Sequence, residues 1–277
     1  MKKLRDRVAV ITGAASGIGR ALAIELATEG AHVALCDVDE EGLEATRERA
    51  ASHGVRATSA RIDVADRDAV HGWAEQVEGD HGGAHLVINN AGVGLAASLR
   101  RVSYEDFEWL MGINFWGVVH GTRAFLPILE RQDEGHIVNI SSVFGIIAAP
   151  LNGTYNAAKF AVKGYTEALR MELKLDGLPI GVTCVHPGGI KTNIARSARV
   201  QEGDLVMERE DMAQYFEDHC QTTPTECARQ ILKGVRRNAP RVLVGFDARV
   251  VDVLQRLAPT AYQHLARRQA KAQWRSR

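Results

Sequence analysis

The chain has 277 residues, 45% hydrophobic and 25% charged, the balance of an ordinary globular protein with a sizeable core. Lys+Arg and Asp+Glu are 34 each, so no global field recruits nucleic acid or an anionic surface. Cys36, Cys184, Cys220 and Cys227 lack C-x-x-C spacing and read as small apolar core residues in a reducing cytoplasm, with no metal site expected.

Lys2 and Lys3 precede an apolar run that Gly13 interrupts, so residues 7–12 are expected to be a buried strand and not part of a signal peptide. Gly13, Ser16, Gly17, Ile18 and Gly19 follow, and a helix over 18–30 begins among them. Strand, glycine loop and helix in that order are what a dinucleotide pyrophosphate site requires. Glycines let the backbone approach the phosphates, and the helix N-terminus offers free N–H groups. A second strand, 32–36, ends in Asp37, twenty residues after Gly17. A carboxylate there can accept hydrogen bonds from the adenosine ribose and would repel a 2′-phosphate. Neither the loop nor Val38 supplies a basic group, so NAD is expected rather than NADP. The competing reading of Asp37 is a solvated strand-end carboxylate.

Further along, a helix over 39–52 and a strand over 56–62 lead to Asp63 and Val64. A helix over 66–81 and a strand over 85–89 lead to Asn90, Ala91 and Gly92, and a long helical run over 103–130 contains Asn114. The strand 135–141 runs into Ser142. Residues 135–158 contain no Asp, Glu, Lys or Arg, but Asn139, Gly145, Pro150 and Asn152 break the stretch, so a bilayer span is not expected. The next helix, 154–176, places Tyr155 and Lys159 at i and i+4 on one face. An ammonium beside a phenol stabilises phenolate, which should pull the tyrosine pKa down from about 10. Strand 180–185, the turn through Pro187, Gly188, Ile190 and Thr192, helix 224–237 and strand 241–245 complete the series. Continuous apolar strands alternating with helices predict an α/β fold. It should be one domain, a doubly wound parallel sheet of about seven strands with ligands at the strands' carboxyl ends.

Taken together, Thr12-Gly-Ala-Ala-Ser-Gly-Ile-Gly19, Asn89-Asn-Ala-Gly92, Asn114, Ser142, Tyr155-x-x-x-Lys159 and Pro187-Gly-Gly-Ile-Lys-Thr192 resemble the motif set of the short-chain dehydrogenases/reductases, over most of residues 5–250. The resemblance implies a Rossmann-like sheet of order 3-2-1-4-5-6-7 and a homodimer or homotetramer built through helices 103–130 and 154–176. It implies that Asp63 and Val64 contact adenine and that Ile190 and Thr192 meet the nicotinamide carboxamide. On this reading Tyr155 is the general acid/base and Lys159 lowers its pKa and bonds the nicotinamide ribose. Ser142 orients the substrate oxygen, and Asn114 positions a water that links Lys159 to solvent.

The substrate is less legible. Val143, Phe144, Ile146, Ile147 and Leu151 either line a pocket for a small apolar secondary alcohol or ketone or pack into the core. Residues 193–223, rich in charges such as Arg196 and Arg199, are expected to form a mobile lid on a domain spanning 1–258. Residues 259–277 form a basic extension without acidic side chains, in which Pro259 should break a helix. That helix packs on the body or a neighbouring subunit, or associates weakly with a membrane surface. Two other functions stay open: a non-catalytic NAD-sensing or scaffold protein, and a lyase or epimerase that recycles NAD internally.

Overall fold

A computed structural model describes residues 1–194, 196–201 and 220–275, the last seven of these as backbone only. Strands β1 (Val8–Thr12), β2 (His32–Asp37), β3 (Ala57–Arg61), β4 (Leu86–Asn89), β6 (Gly135–Ile140), β7 (Ile180–Pro187) and β9 (Arg241–Val244) form one seven-stranded sheet. All its pairings are parallel, in the order β3-β2-β1-β4-β6-β7-β9. The order agrees with the expectation, and the switch between β1 and β4 opens the crevice there.

Both faces of the sheet are buried, so successive residues serve opposite cores. Ile11, Val33 and Leu35 pack with Leu22 and Leu26 of α1 (Gly17–Thr28), Leu43 of α2 (Glu40–Ala51) and Ile231 and Leu232 of α7 (Pro224–Arg236). Their neighbours Val10, Ala34 and Cys36 turn the other way. They meet Trp73 of α3 (Arg67–His81), Phe125 and Leu129 of α5 (Gly117–Glu130) and Leu169 of α6 (Gly153–Leu175). Between the central strands and helices runs a buried polar ladder. Asn89 Nδ2 donates to Asn139 Oδ1 (2.8 Å) and Thr122 Oγ1 (3.1 Å), and Asn139 Nδ2 donates to Thr166 Oγ1 (3.0 Å). These bonds lock α5 and α6 in register with the strand ends that carry the crevice.

Two details differ from the sequence reading, and the break expected at Pro259 is present. The run over 103–130 is not one regular helix: α4 (Tyr104–Met111) passes through a π-turn, Gly112–Trp116, into α5. A π-turn widens the helix and turns its buried face, and here that buries Asn114. A short parallel ladder of β5 (Leu95–Ala96) and β8 (Arg199–Val200) was not expected from so few residues. Near the C-terminus, α8 (Phe246–Leu257) stops at Ala258 and α9 (Tyr262–Arg275) follows Pro259, the break that proline imposes on the residue before it. The cysteines are free and buried. Among the described residues no helix is long and apolar enough to cross a membrane; the uncharged stretch 135–158 is β6, a short 3₁₀ turn and the start of α6.

Candidate active site

The crevice at the carboxyl ends of the strands has a volume of about 720 Å³. Its first part is the glycine loop between β1 and α1. A methyl group on Gly19 would lie 2.1 Å from the Gly13 carbonyl oxygen and 2.7 Å from Asn90 Nδ2, so the helix start can approach the loop only without a side chain. Gly13 has φ +67°, and a methyl group there would lie 2.7 Å from Ala91 Cα. Asn90 fastens this contact, its Nδ2 donating to the carbonyls of Thr12 (2.9 Å) and Gly13 (3.0 Å). Thr12 Oγ1 in turn accepts from the backbone N–H groups of Asn90 and Ala91, each at 3.0 Å. The Asn90 side chain is therefore a brace of the loop, a use that the turn-like sequence Asn-Ala-Gly does not announce.

Asp37 closes β2 beside the loop. Its Oδ2 accepts from the Ala15 N–H (2.9 Å), and its Oδ1 accepts from the N–H groups of Val38 (2.8 Å) and Asp39 (3.1 Å). Each carboxylate oxygen has two lone-pair directions, so the group keeps acceptor capacity toward the crevice. Asp63, Val64 and the exposed side chain of Val38 line the same end.

At the other end β6 and α6 bring Ser142, Tyr155 and Lys159 together. Lys159 is 3% exposed; its Nζ donates to the Ile140 carbonyl (3.0 Å) and lies 5.6 Å from the centre of the Tyr155 ring. The Ser142 side chain acts on the Tyr155 hydroxyl to hold its pKa down, and Phe144 meets the Tyr155 ring edge-on. Ser141 Oγ donates to the Lys159 carbonyl at 2.8 Å, which fixes the helix against the strand end. Behind Ser142, His186 is fully buried, with Nδ1 placed to donate to the Ser142 carbonyl at 2.9 Å. Burial lowers His186 to about 4, so the ring is neutral near pH 7.

A family model described as short chain dehydrogenase matches residues 7–203. This chain belongs to that family. It is 46% identical to the "Putative oxidoreductase SadH" of Mycobacterium tuberculosis over 266 residues, 96% of this chain and 95% of that one. It is 33% identical to the C alpha-dehydrogenase of a Sphingobium species over 273 residues, 94% of this chain and 89% of that one. Among solved structures, a short-chain dehydrogenase/reductase from Burkholderia phymatum in complex with NAD superposes with a TM-score of 0.86, at 32% identity, over 92% of this chain and 95% of that one.

Most of the residues expected at the site line one crevice: Gly13, Ser16, Gly17, Ile18, Asp37, Asp63, Val64, Asn90, Ala91, Gly92, Ser142, Tyr155, Lys159, Pro187, Gly188, Ile190 and Thr192. Gly19 and Asn114 do not; they lie beneath its wall. Asn114 grips the chain after Gly92, its Nδ2 donating to the Val93 carbonyl (2.9 Å) and its Oδ1 accepting the Val93 N–H (2.8 Å). Lys159 Nζ and Asn114 Oδ1 both border Gly92.

The expected direction of the tyrosine shift is overturned. Burial raises Tyr155 to about 12, opposed only by the Ser142 hydrogen bond, and lowers Lys159 to about 8. Desolvation is the largest influence on the phenol, and the Lys159 nitrogen lies 5.6 Å from the centre of its ring. Tyr155 retains a partly exposed surface in the crevice.

Sequence reasoning missed one wall altogether: Val93, Leu95 and Ala96 after the Gly92 turn, with Trp109 from α4. The apolar run Val93–Ala97 was its available signal. Of the 143–151 loop, Val143 and Phe144 line the crevice, whereas Ile146 is buried. The expected lid falls largely on residues 195 and 202–219, outside the described residues. Its near end is tied down: Arg199 stacks on Trp109 at 3.7 Å and pairs with Asp106 at 2.9 Å, so it is engaged with protein.

Proposed function

We propose that the chain is an NAD-dependent oxidoreductase that interconverts a small apolar secondary alcohol and its ketone, with Tyr155 as general acid/base. The observation that carries this reading is the convergence of Tyr155, Ser142 and Lys159 in the crevice that the glycine loop and Asp37 close at its other end. The residues suit a dinucleotide: the glycine cradle has no room for side chains, and Asp37 retains acceptor capacity for ribose hydroxyls. Among the described residues lining the crevice Lys159 is the sole basic side chain, whereas Asp37 and Val38 occupy the ribose end. That charge pattern favours NAD over NADP. When bound, the nicotinamide supplies the hydride acceptor or donor.

The chain's own residues handle the proton. Ser142 holds the substrate oxygen beside the Tyr155 hydroxyl, which takes the alcohol proton in oxidation and returns it in reduction. At a pKa near 12 the phenol alone is a reluctant base, so Lys159 is needed as its electrostatic partner. The cationic charge of oxidised nicotinamide acts in the same direction. Asn114 holds the Val93 backbone at the Lys159 end, where a water could connect the ammonium to solvent. Val93, Leu95, Trp109, Val143 and Phe144 give the reacting carbon an apolar surround, which suits a substrate without charge. Trp116, Phe160, Met171 and Leu175 are exposed on the helical run 103–130 and on α6, which supports association into a homodimer or homotetramer.

A panel of apolar secondary alcohols and ketones, followed by NADH absorbance, tests the reading. Turnover should rise with apolar substituents and fall with carboxylated analogues. Activity confined to charged substrates, or turnover without net NADH change, would contradict it.

A further inference from the structure

Residues 246–277 carry seven basic side chains against two acidic ones in a chain of zero net charge, so the rest of the protein is acidic. Both acidic groups are held by hydrogen bonds within the protein. Asp247 Oδ2 accepts the Gly189 N–H at 2.6 Å. Asp252, 9% exposed, accepts from Arg241 (2.6 Å) and Arg256 (3.1 Å). α8 also turns large apolar side chains outward: Phe246 is 80% exposed, Leu257 81%, and Val250 and Val253 about half. At about 100° per residue these four fall within a stripe about 60° wide, opposite the buried Ala248 and with the exposed Arg249 at its margin. Beyond the Pro259 break, α9 exposes Leu265, Arg267 and Arg268, and the chain after Pro259 has no acidic residue.

An apolar stripe in a segment with an excess of cations is the composition of a helix that lies in the headgroup layer of an anionic bilayer. The charge selects among occupants. A second copy of this segment would set like charges against each other, and nucleic acid would leave the apolar stripe wet. We infer that α8 and α9 form a docking surface for an anionic lipid surface.

The position of these helices gives the contact a use. Asp247, next to Phe246, lines the crevice. The Tyr262 hydroxyl at the start of α9 accepts the Ala148 N–H (3.1 Å), from the loop between Ser142 and Tyr155. Both helices are therefore anchored at the rim of the site, where an apolar molecule leaving a bilayer would arrive. The docking itself does not rest on the enzymatic reading.

Flotation of the full chain with phosphatidylglycerol-containing vesicles, beside pure phosphatidylcholine vesicles, tests the inference. The protein should float with the anionic vesicles only, and screening at about 0.5 M salt should lower the bound fraction at least about tenfold. The double variants Phe246→Ser/Leu257→Ser and Arg267→Glu/Arg268→Glu should each lose flotation while keeping the wild-type Tm. No flotation of the wild type, or equal flotation with both vesicles, overturns the inference. So does a loss of oligomer mass in the Phe246→Ser/Leu257→Ser variant by light scattering, which would assign the stripe to a second copy.

Discussion

Replacing Asp37 by Ala separates two roles that the structure gives one carboxylate. Its Oδ2 accepts the N–H of Ala15, a residue only 2% exposed, whereas the N–H groups of Val38 and Asp39 that bond Oδ1 can turn to water. The folding cost is therefore that of one buried, unpaired N–H, about 1–3 kcal/mol. For a chain of this size that lowers Tm by about 2–4 °C per kcal/mol. The cofactor cost is separate. Losing a ribose hydroxyl bond to a charged acceptor is worth about 1.5–3 kcal/mol, or about 10–150-fold in the KM for NAD. NADP should gain at the same time, because the charge repelling its 2′-phosphate is gone. Steady-state kinetics with both cofactors and a thermal melt give all three quantities. If Tm falls but the NAD:NADP ratio of kcat/KM stays within about twofold, Asp37 only braces the loop and the ribose argument is wrong. A wild-type preference for NADPH would refute it more directly.

Burial depresses Lys159 to about 8 from its ordinary 10.5, so the unfolded chain binds more protons than the native state between those values. Stability of the wild type should thus rise with pH from about 8 to about 10.5 relative to Lys159→Met, measured by denaturant melts; parallel pH profiles would show that Lys159 is not desolvated. Phe160, Met171 and Leu175 share one exposed face of α6, so Met171→Asp should lower the oligomer mass in light scattering. A wild-type monomer would contradict the proposed assembly.

The sheet was legible because its strands are buried on both faces. Runs such as Val8–Thr12 and Gly135–Ile140 are apolar enough, and the glycine and proline turns sharp enough, that order and direction followed from pattern and family resemblance. What could not be read depends on partners distant in sequence. The π-turn at Gly112–Trp116 accompanies the grip of Asn114 on Val93, twenty-one residues earlier. The β5–β8 ladder joins segments about a hundred residues apart, each two residues long. The tyrosine shift went wrong for a different reason. Spacing at i and i+4 reports that two charges are neighbours, but the sign of a pKa shift depends also on how much water remains around them. Asn90 shows the same limit: the sequence marks a turn, and only the fold reveals the carbonyls that its side chain holds.

The account depends on Tyr155 carrying the proton, and the Tyr155→Phe variant tests this most directly by single-turnover NADH absorbance paired with NADH-binding fluorescence. The ring, its edge contact with Phe144 and the nearby Lys159 are all retained in that variant, so only the hydroxyl is removed. The predicted result is unchanged NADH affinity with turnover reduced about 10²–10⁴-fold. Turnover within a few-fold of wild type would remove Tyr155 from the chemistry.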